Sequence, residues 1–132
     1  MMEAKKSYKL LLVDDDKFLL DMYALKFTQD GHTVKTCFSV DEALEELKTG
    51  FNPDAIVFDL VMPGKDGFDL LRGINEGKLV PHARLIALTN QSLPEERKKV
   101  EELGAHDYII KATLIPSEVV TAVRQVIEGK RG

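Results

Sequence analysis

Short apolar runs alternate with amphipathic stretches along the whole chain. Residues 8–13 (YKLLLV) form an apolar run that stops at three aspartates. Residues 54–58 (DAIVF), 83–88 (ARLIAL) and 108–110 (YII) are further runs, of the length and make-up of strands covered on both faces. Residues 33–38 (TVKTCF) alternate polar and apolar instead, which predicts a strand exposed on one side or at an edge. The stretches between them predict five helices. Residues 16–29 carry Phe18, Leu19, Met22 and Leu25 on one side and stop at Gly31. Residues 40–49 place Val40, Ala43, Leu44 and Leu47 on one face, with a capping box of Ser39 and Glu42 before them and Gly50 after. Residues 67–76 offer Phe68, Leu70, Leu71 and Ile74. Residues 93–103 follow Ser92 and Glu95, read as a second capping box, and have few apolar anchors: Leu93, Val100 and Leu103. Residues 116–128 open on Pro116 and carry Val119, Val123, Val126 and Ile127, with Ile115 extended before the proline.

Five strands alternating with five helices imply an α/β doubly wound parallel sheet with right-handed crossovers. An edge-like second strand fits the order 2-1-3-4-5, whose switch point lies between the first and third strands. Ligands in such sheets sit beyond the carboxyl ends of the strands, so the residues that end each strand carry the chemistry. The first strand ends in Asp14, Asp15 and Asp16, the third in Asp59, the fourth in Thr89 and the fifth in Lys111. Carboxylates converging on one crevice repel each other and call for a cation. Hard oxygen donors with open positions suit Mg²⁺, which pairs with phosphate oxygens. With a lysine and a hydroxyl nearby, these are the parts of a phosphoryl-transfer site in which one carboxylate is the nucleophile. Each residue also has an ordinary alternative: Asp14 or Asp16 as a helix cap, Thr89 as a turn residue, Lys111 as a solvated lysine. Their coincidence on neighbouring strand ends favours a site.

Composition narrows the setting. The 132 residues allow one domain, with a core of about 8–128. The net charge of −4 argues against direct nucleic-acid binding. No apolar run is long enough to insert in a membrane, and the start MMEAKKSYK does not read as a signal peptide. A cytoplasmic location is the expectation. Cys37 is the one cysteine, expected as a small buried hydrophobe. His32, His82 and His106 are scattered and lack ligand spacing. Residues 76–83 (EGKLVPHA) read as a surface loop.

Four motifs, LLLVDDD at 10–16, FDLVMPGKDGFDLL at 58–71, LIALTN at 85–90 and DYIIKA at 107–112, run in order along the chain. With them the sequence resembles a response-regulator receiver domain of two-component signalling, of the stand-alone, chemotaxis-regulator-like kind. The resemblance implies a flavodoxin-like (βα)5 fold. It implies Asp59 as phosphoacceptor and Asp14, Asp15, Asp59 and the backbone carbonyl of Val61 as holders of Mg²⁺. It implies Thr89 as the switch hydroxyl, Lys111 as its charged partner and Tyr108 as an aromatic switch that moves with Thr89. The implied phosphodonor is a sensor histidine kinase or a histidine phosphotransfer protein. Two positions depart from the family's habit. Asn90 replaces the usual small residue after the threonine. Ala112 replaces a common proline, which predicts a trans bond after Lys111.

The leading expectation is a phosphorylation-controlled signalling module that catalyses its own phosphorylation and is not a turnover enzyme. Its readout surface for a downstream protein is expected on helix 93–103, strand 107–111 and helix 116–128. The alternative is a small Mg²⁺-dependent phosphohydrolase with an aspartyl nucleophile, although Val61 stands where such enzymes carry a second aspartate. A flavodoxin-like electron carrier fits less well, because three aspartates after the first strand would repel a flavin phosphate.

Overall fold

In a computed structural model of the protein, residues 6–90 and 92–131 are described. The expectation for the first five residues lies outside that range. The strands are β1 (Lys9–Val13), β2 (Thr33–Cys37), β3 (Ala55–Phe58), β4 (Arg84–Thr89) and β5 (Asp107–Ile110). They alternate with α1 (Lys17–Gln29), α2 (Val40–Lys48), α3 (Gly67–Gly77), α4 (Pro94–Glu102) and α5 (Pro116–Ile127). All strand pairs are parallel and the order is β2-β1-β3-β4-β5, as the edge-like pattern of residues 33–38 predicts.

Successive side chains of a strand point to opposite faces, so each buried strand feeds two cores. Leu11, Val13, Ile56, Phe58, Leu85, Ala87 and Tyr108 pack with α2, α3 and Val100 of α4. Leu10, Leu12, Ala55, Val57, Ile86, Leu88 and Ile109 pack with α1 and α5. Burying a leucine or isoleucine in this way contributes roughly 1.5–3 kcal/mol each, which explains the long apolar runs on β1, β3 and β4.

Two expectations need correction. On α1 the buried residues are Leu20, Tyr23 and Phe27. Phe18 is 87% exposed and Leu25 56% exposed, while Leu19 and Met22 only pack at the margin. The helix is apolar on most sides, so the sequence pattern does not single out the core face. At α4 the capping box of Ser92 and Glu95 does not form. Leu93 is the cap residue, and no side chain caps the helix. Pro94 fixes φ and has no N–H to lose, so it takes the first helical position and leaves Ser92 outside. The starts of α1, α2 and α3 are capped by side chains. Asp16 accepts from the Leu19 N–H, Ser39 accepts from the Glu42 N–H, and Asp66 and Asp69 cap α3 reciprocally. The expected box at α2 is looser than this, because the Glu42 carboxylate reaches the Phe38 N–H and the Ser39 hydroxyl instead of the Ser39 N–H.

Gly67, at the start of α3, lies against the backbone of the β3 end. A Cβ there would stand 2.6 Å from the Asp59 carbonyl oxygen and 2.9 Å from the Leu60 Cα. Its N–H donates to the Leu60 carbonyl at 3.1 Å. The Asp-Gly pair thus seats the helix directly on the loop that carries Asp59. Gly67→Ala is expected to cost about 1–3 kcal/mol, the usual range for overpacking, read from urea unfolding. An unchanged midpoint would show that the loop yields freely.

Candidate functional site

Strand register assembles the site. Val13 pairs with Phe58, so the next residues, Asp14 and Asp59, leave the sheet at the same level. The Asp59 N–H still donates to the Val13 carbonyl at 3.0 Å, and the Asp14 N–H to the Cys37 carbonyl at 3.2 Å. Thr89 pairs with Ile110, so Lys111 follows one step beyond and opens a short 3-10 turn, Lys111–Thr113. No peptide among the described residues is cis, so the bond from Lys111 to Ala112 is trans as predicted.

Carboxylate oxygens of Asp14, Asp15 and Asp59 all lie within 4.8 Å of one another. Asp14 and Asp59 are buried, and Asp15 stands at the mouth. The buried Lys111 ammonium reaches across β4 to the Asp14 Oδ2 at 3.2 Å and the Asp59 Oδ2 at 3.7 Å. The other Asp14 oxygen accepts from the Asp16 N–H at 2.9 Å, and the Val61 N–H lies 3.4 Å from the Asp59 Oδ1. Asp16 is the helix cap of the three aspartates; its side chain serves α1. The Val61 side chain is exposed.

Burial pushes the Asp59 carboxyl above its usual range. The neighbouring Asp14 adds to the rise, while the Lys111 ammonium and the Val61 and Leu60 N–H groups oppose it. Folding therefore disfavours the Asp59 anion. Three carboxylates against one ammonium leave negative charge in a poorly solvated crevice. The donor set is oxygen only, the kind that suits a hard cation such as Mg²⁺.

Thr89 and Tyr108, predicted as a pair, are together. Both are buried, and the Thr89 hydroxyl faces the Tyr108 phenol closely enough to lower its pKa against the rise that burial causes. Among the described residues no hydrogen bond joins Thr89 to the carboxylates. Two neighbours escape the sequence reading. Tyr23 lines the floor of the crevice beside Asp14, and burial with the Asp14 charge pushes its phenol up. The spacing of Leu20, Tyr23 and Phe27 carries that signal. Glu96 on α4 accepts from the Tyr108 hydroxyl at 3.1 Å, a contact between elements that no local pattern announces. The histidines stay outside. His32 Nδ1 accepts from the Tyr8 N–H and Nε2 faces Asp30, while His106 Nδ1 accepts from the Leu85 N–H.

The raised Asp59 carboxyl gives a signed expectation. A folded-state pKa above the unfolded value means a stability penalty that sets in as pH rises past the unfolded value and is complete above the folded one. Asp59→Asn removes it. In metal-free buffer the variant is expected to melt above the wild type at pH 7, with the gap closing as pH falls from the raised carboxyl value toward the ordinary one. A variant that melts below the wild type at pH 7 would contradict this balance of charges.

A family model described as the response regulator receiver domain matches residues 10–124. The transcriptional regulatory protein AfsQ1 of Streptomyces coelicolor is 35% identical over 102 residues, covering 77% of this chain and 44% of that protein. The transcriptional regulatory protein ResD of Bacillus subtilis is 31% identical over 126 residues, covering 96% of this chain and 50% of that protein. The chain thus spans about half the length of these curated relatives. The BeF3-activated receiver domain of DrrB, a Thermotoga maritima protein, superposes with a TM-score of 0.77 at 30% identity, covering 93% of this chain and 99% of that one. Chemotaxis protein CheY4 of Vibrio cholerae shares the fold, with a TM-score of 0.84 at 23% identity over 92% of this chain and 99% of that one. Running from the first strand into the last helix and through all four motifs, the match shows that the chain belongs to the response regulator receiver domains, signalling modules of two-component systems rather than turnover enzymes.

Proposed function

We propose that the protein is switched by a phosphoryl group accepted on Asp59 from a histidine kinase or a histidine phosphotransfer protein. What carries the reading is the Lys111 ammonium lying between Asp14 and Asp59 at 3.2 and 3.7 Å, with Asp15 at the mouth. In the transfer an Asp59 carboxylate oxygen attacks phosphorus. The O–P bond forms, the N–P bond to the donor imidazole breaks, and that nitrogen leaves with the bonding pair and regains a proton. Lys111 is placed to neutralise a phosphoryl oxygen, and Thr89 to donate a hydrogen bond to another once it turns from Tyr108. Asp14, Asp15, Asp59 and the Val61 carbonyl are the groups that would hold Mg²⁺, which supplies charge neutralisation for the transferred group.

An apolar rim suits a protein donor. Phe18, Val61 and Ile115 are exposed on segments that follow β1, β3 and β5, around the same end of the sheet as the acidic mouth. Phosphorylation adds about −1.5 to −2 charge, and the response leaves through Thr89 to Tyr108 and α4. The readout surface for a downstream protein is then the face of α4, β5 and α5.

Incubation with phosphoramidate and Mg²⁺ followed by intact-mass measurement tests this. One phosphoryl adduct is expected on the wild type and none on Asp59→Ala. Lys111→Met is expected to slow adduct formation by about 10²–10³-fold, the range for losing one charge-stabilising group. An adduct that survives Asp59→Ala would sink the assignment.

A further inference from the structure

The Tyr108 ring sits at the joint between β5 and α4 and is only 2% exposed. Its hydroxyl donates to the Glu96 Oε1 at 3.1 Å and accepts from the Leu93 N–H at 3.4 Å. The Arg97 guanidinium lies 5.8 Å from the ring centroid. Leu93 is the cap residue of α4, so the tyrosine hydroxyl supplies an acceptor where no side chain caps the helix. Val100 is the buried residue of α4, so the helix has little apolar anchorage of its own. Much of what ties α4 to the sheet at this end therefore passes through one phenol.

We propose that Glu96 is a positioning residue that holds Tyr108 in its inward orientation, so that α4 and β5 respond as one unit and α4 itself sets how far the tyrosine switch lies inward. The inference rests on reading Thr89 and Tyr108 as the relay from Asp59, and it adds a second control on that relay. Thr89 and Glu96 approach the same hydroxyl from the sheet and from the helix. When Thr89 turns toward a phosphoryl group, the Glu96 carboxylate still holds the ring. Burial pushes the Tyr108 phenol up, and Glu96 adds to the rise, so the phenol keeps the proton it donates. Arg97, the cation over the ring, pairs with Glu101 at 3.4 Å and leaves the Glu96 carboxylate to the hydroxyl.

Fluorine NMR on protein labelled with 3-fluorotyrosine reads this directly. The chain has three tyrosines, Tyr8, Tyr23 and Tyr108, and the variant Tyr108→Phe assigns the third signal. In Glu96→Ala the Tyr108 signal is expected to move toward the position of a solvent-exposed tyrosine, with roughly a tenfold fall in the inward-to-outward ratio, the scale for losing a charge-assisted hydrogen bond. Glu96→Gln keeps an acceptor oxygen and is expected to restore the wild-type position. The Tyr8 and Tyr23 signals are expected to stay in place, which confirms that both variants are folded. A Tyr108 signal unmoved by Glu96→Ala, or moved as far by Glu96→Gln, overturns the proposal. These spectra need no phosphodonor. Intact mass after phosphoramidate then judges the Asp59 reading separately, since loss of the adduct in the wild type would sink that reading and leave the Glu96 result standing on its own.

Discussion

Everything at the carboxyl end of the sheet answers to one electrostatic imbalance. Three aspartates share a crevice with one lysine, and two of the three, with the lysine, are buried. The arrangement is costly to fold. Burial and Asp14 both work against the Asp59 anion, and Lys111 only partly offsets them. The pairing of Val13 with Phe58 forces the two buried carboxylates to the same level, and the Lys111 stem bridges the width of β4 to meet them. The crevice thus carries surplus negative charge in oxygen donors, a condition that a hard cation would relieve. A stable core elsewhere lets the fold tolerate this, since both faces of the sheet are fully packed.

The two flanks of the crevice are held to very different degrees. Around Asp59 the structure is rigid. Gly67 locks α3 onto the Asp59–Leu60 backbone, and Asp66 and Asp69 cap that helix reciprocally. On the other side of β4 the structure is lightly held. α4 is uncapped, polar and tied to the sheet by Val100 and by the Tyr108 hydroxyl. A change at Thr89 meets little resistance in that direction. Stiffness on one flank and compliance on the other are what the proposed switching toward α4 requires, with no special element.

Much of this was legible in the sequence because it depends on rules of short range. Apolar runs ending in Asp, Asp, Thr and Lys follow from parallel strands buried on both faces with chemistry at their ends, and the order of the strands follows from the one strand that alternates. The trans bond before Ala112 follows from the missing proline. Failures came where several local signals competed. α1 has apolar residues on most sides, so its pattern reads Phe18, Leu19, Met22 and Leu25 as the inward side, whereas Leu20, Tyr23 and Phe27 are the buried residues. At α4 a Ser-Glu capping pattern competed with Pro94, and the fixed proline φ won. The contact of Glu96 with Tyr108 was invisible for a different reason. It joins residues on a helix and a strand whose distance is set by how α4 lies on the sheet, and no spacing along the chain encodes that.

Cys37 shows what burial protects. It pairs with Val13 on the neighbouring strand, and its carbonyl accepts from the N–H of Asp14, while its side chain packs in the core beneath α2 and α3. Burial pushes that thiol up to about 11. At neutral pH only about one molecule in ten thousand carries the thiolate, the form that peroxides and disulfides attack. A thiol so buried and so rarely ionised serves as a packing group next to the strand end rather than as a reactive one.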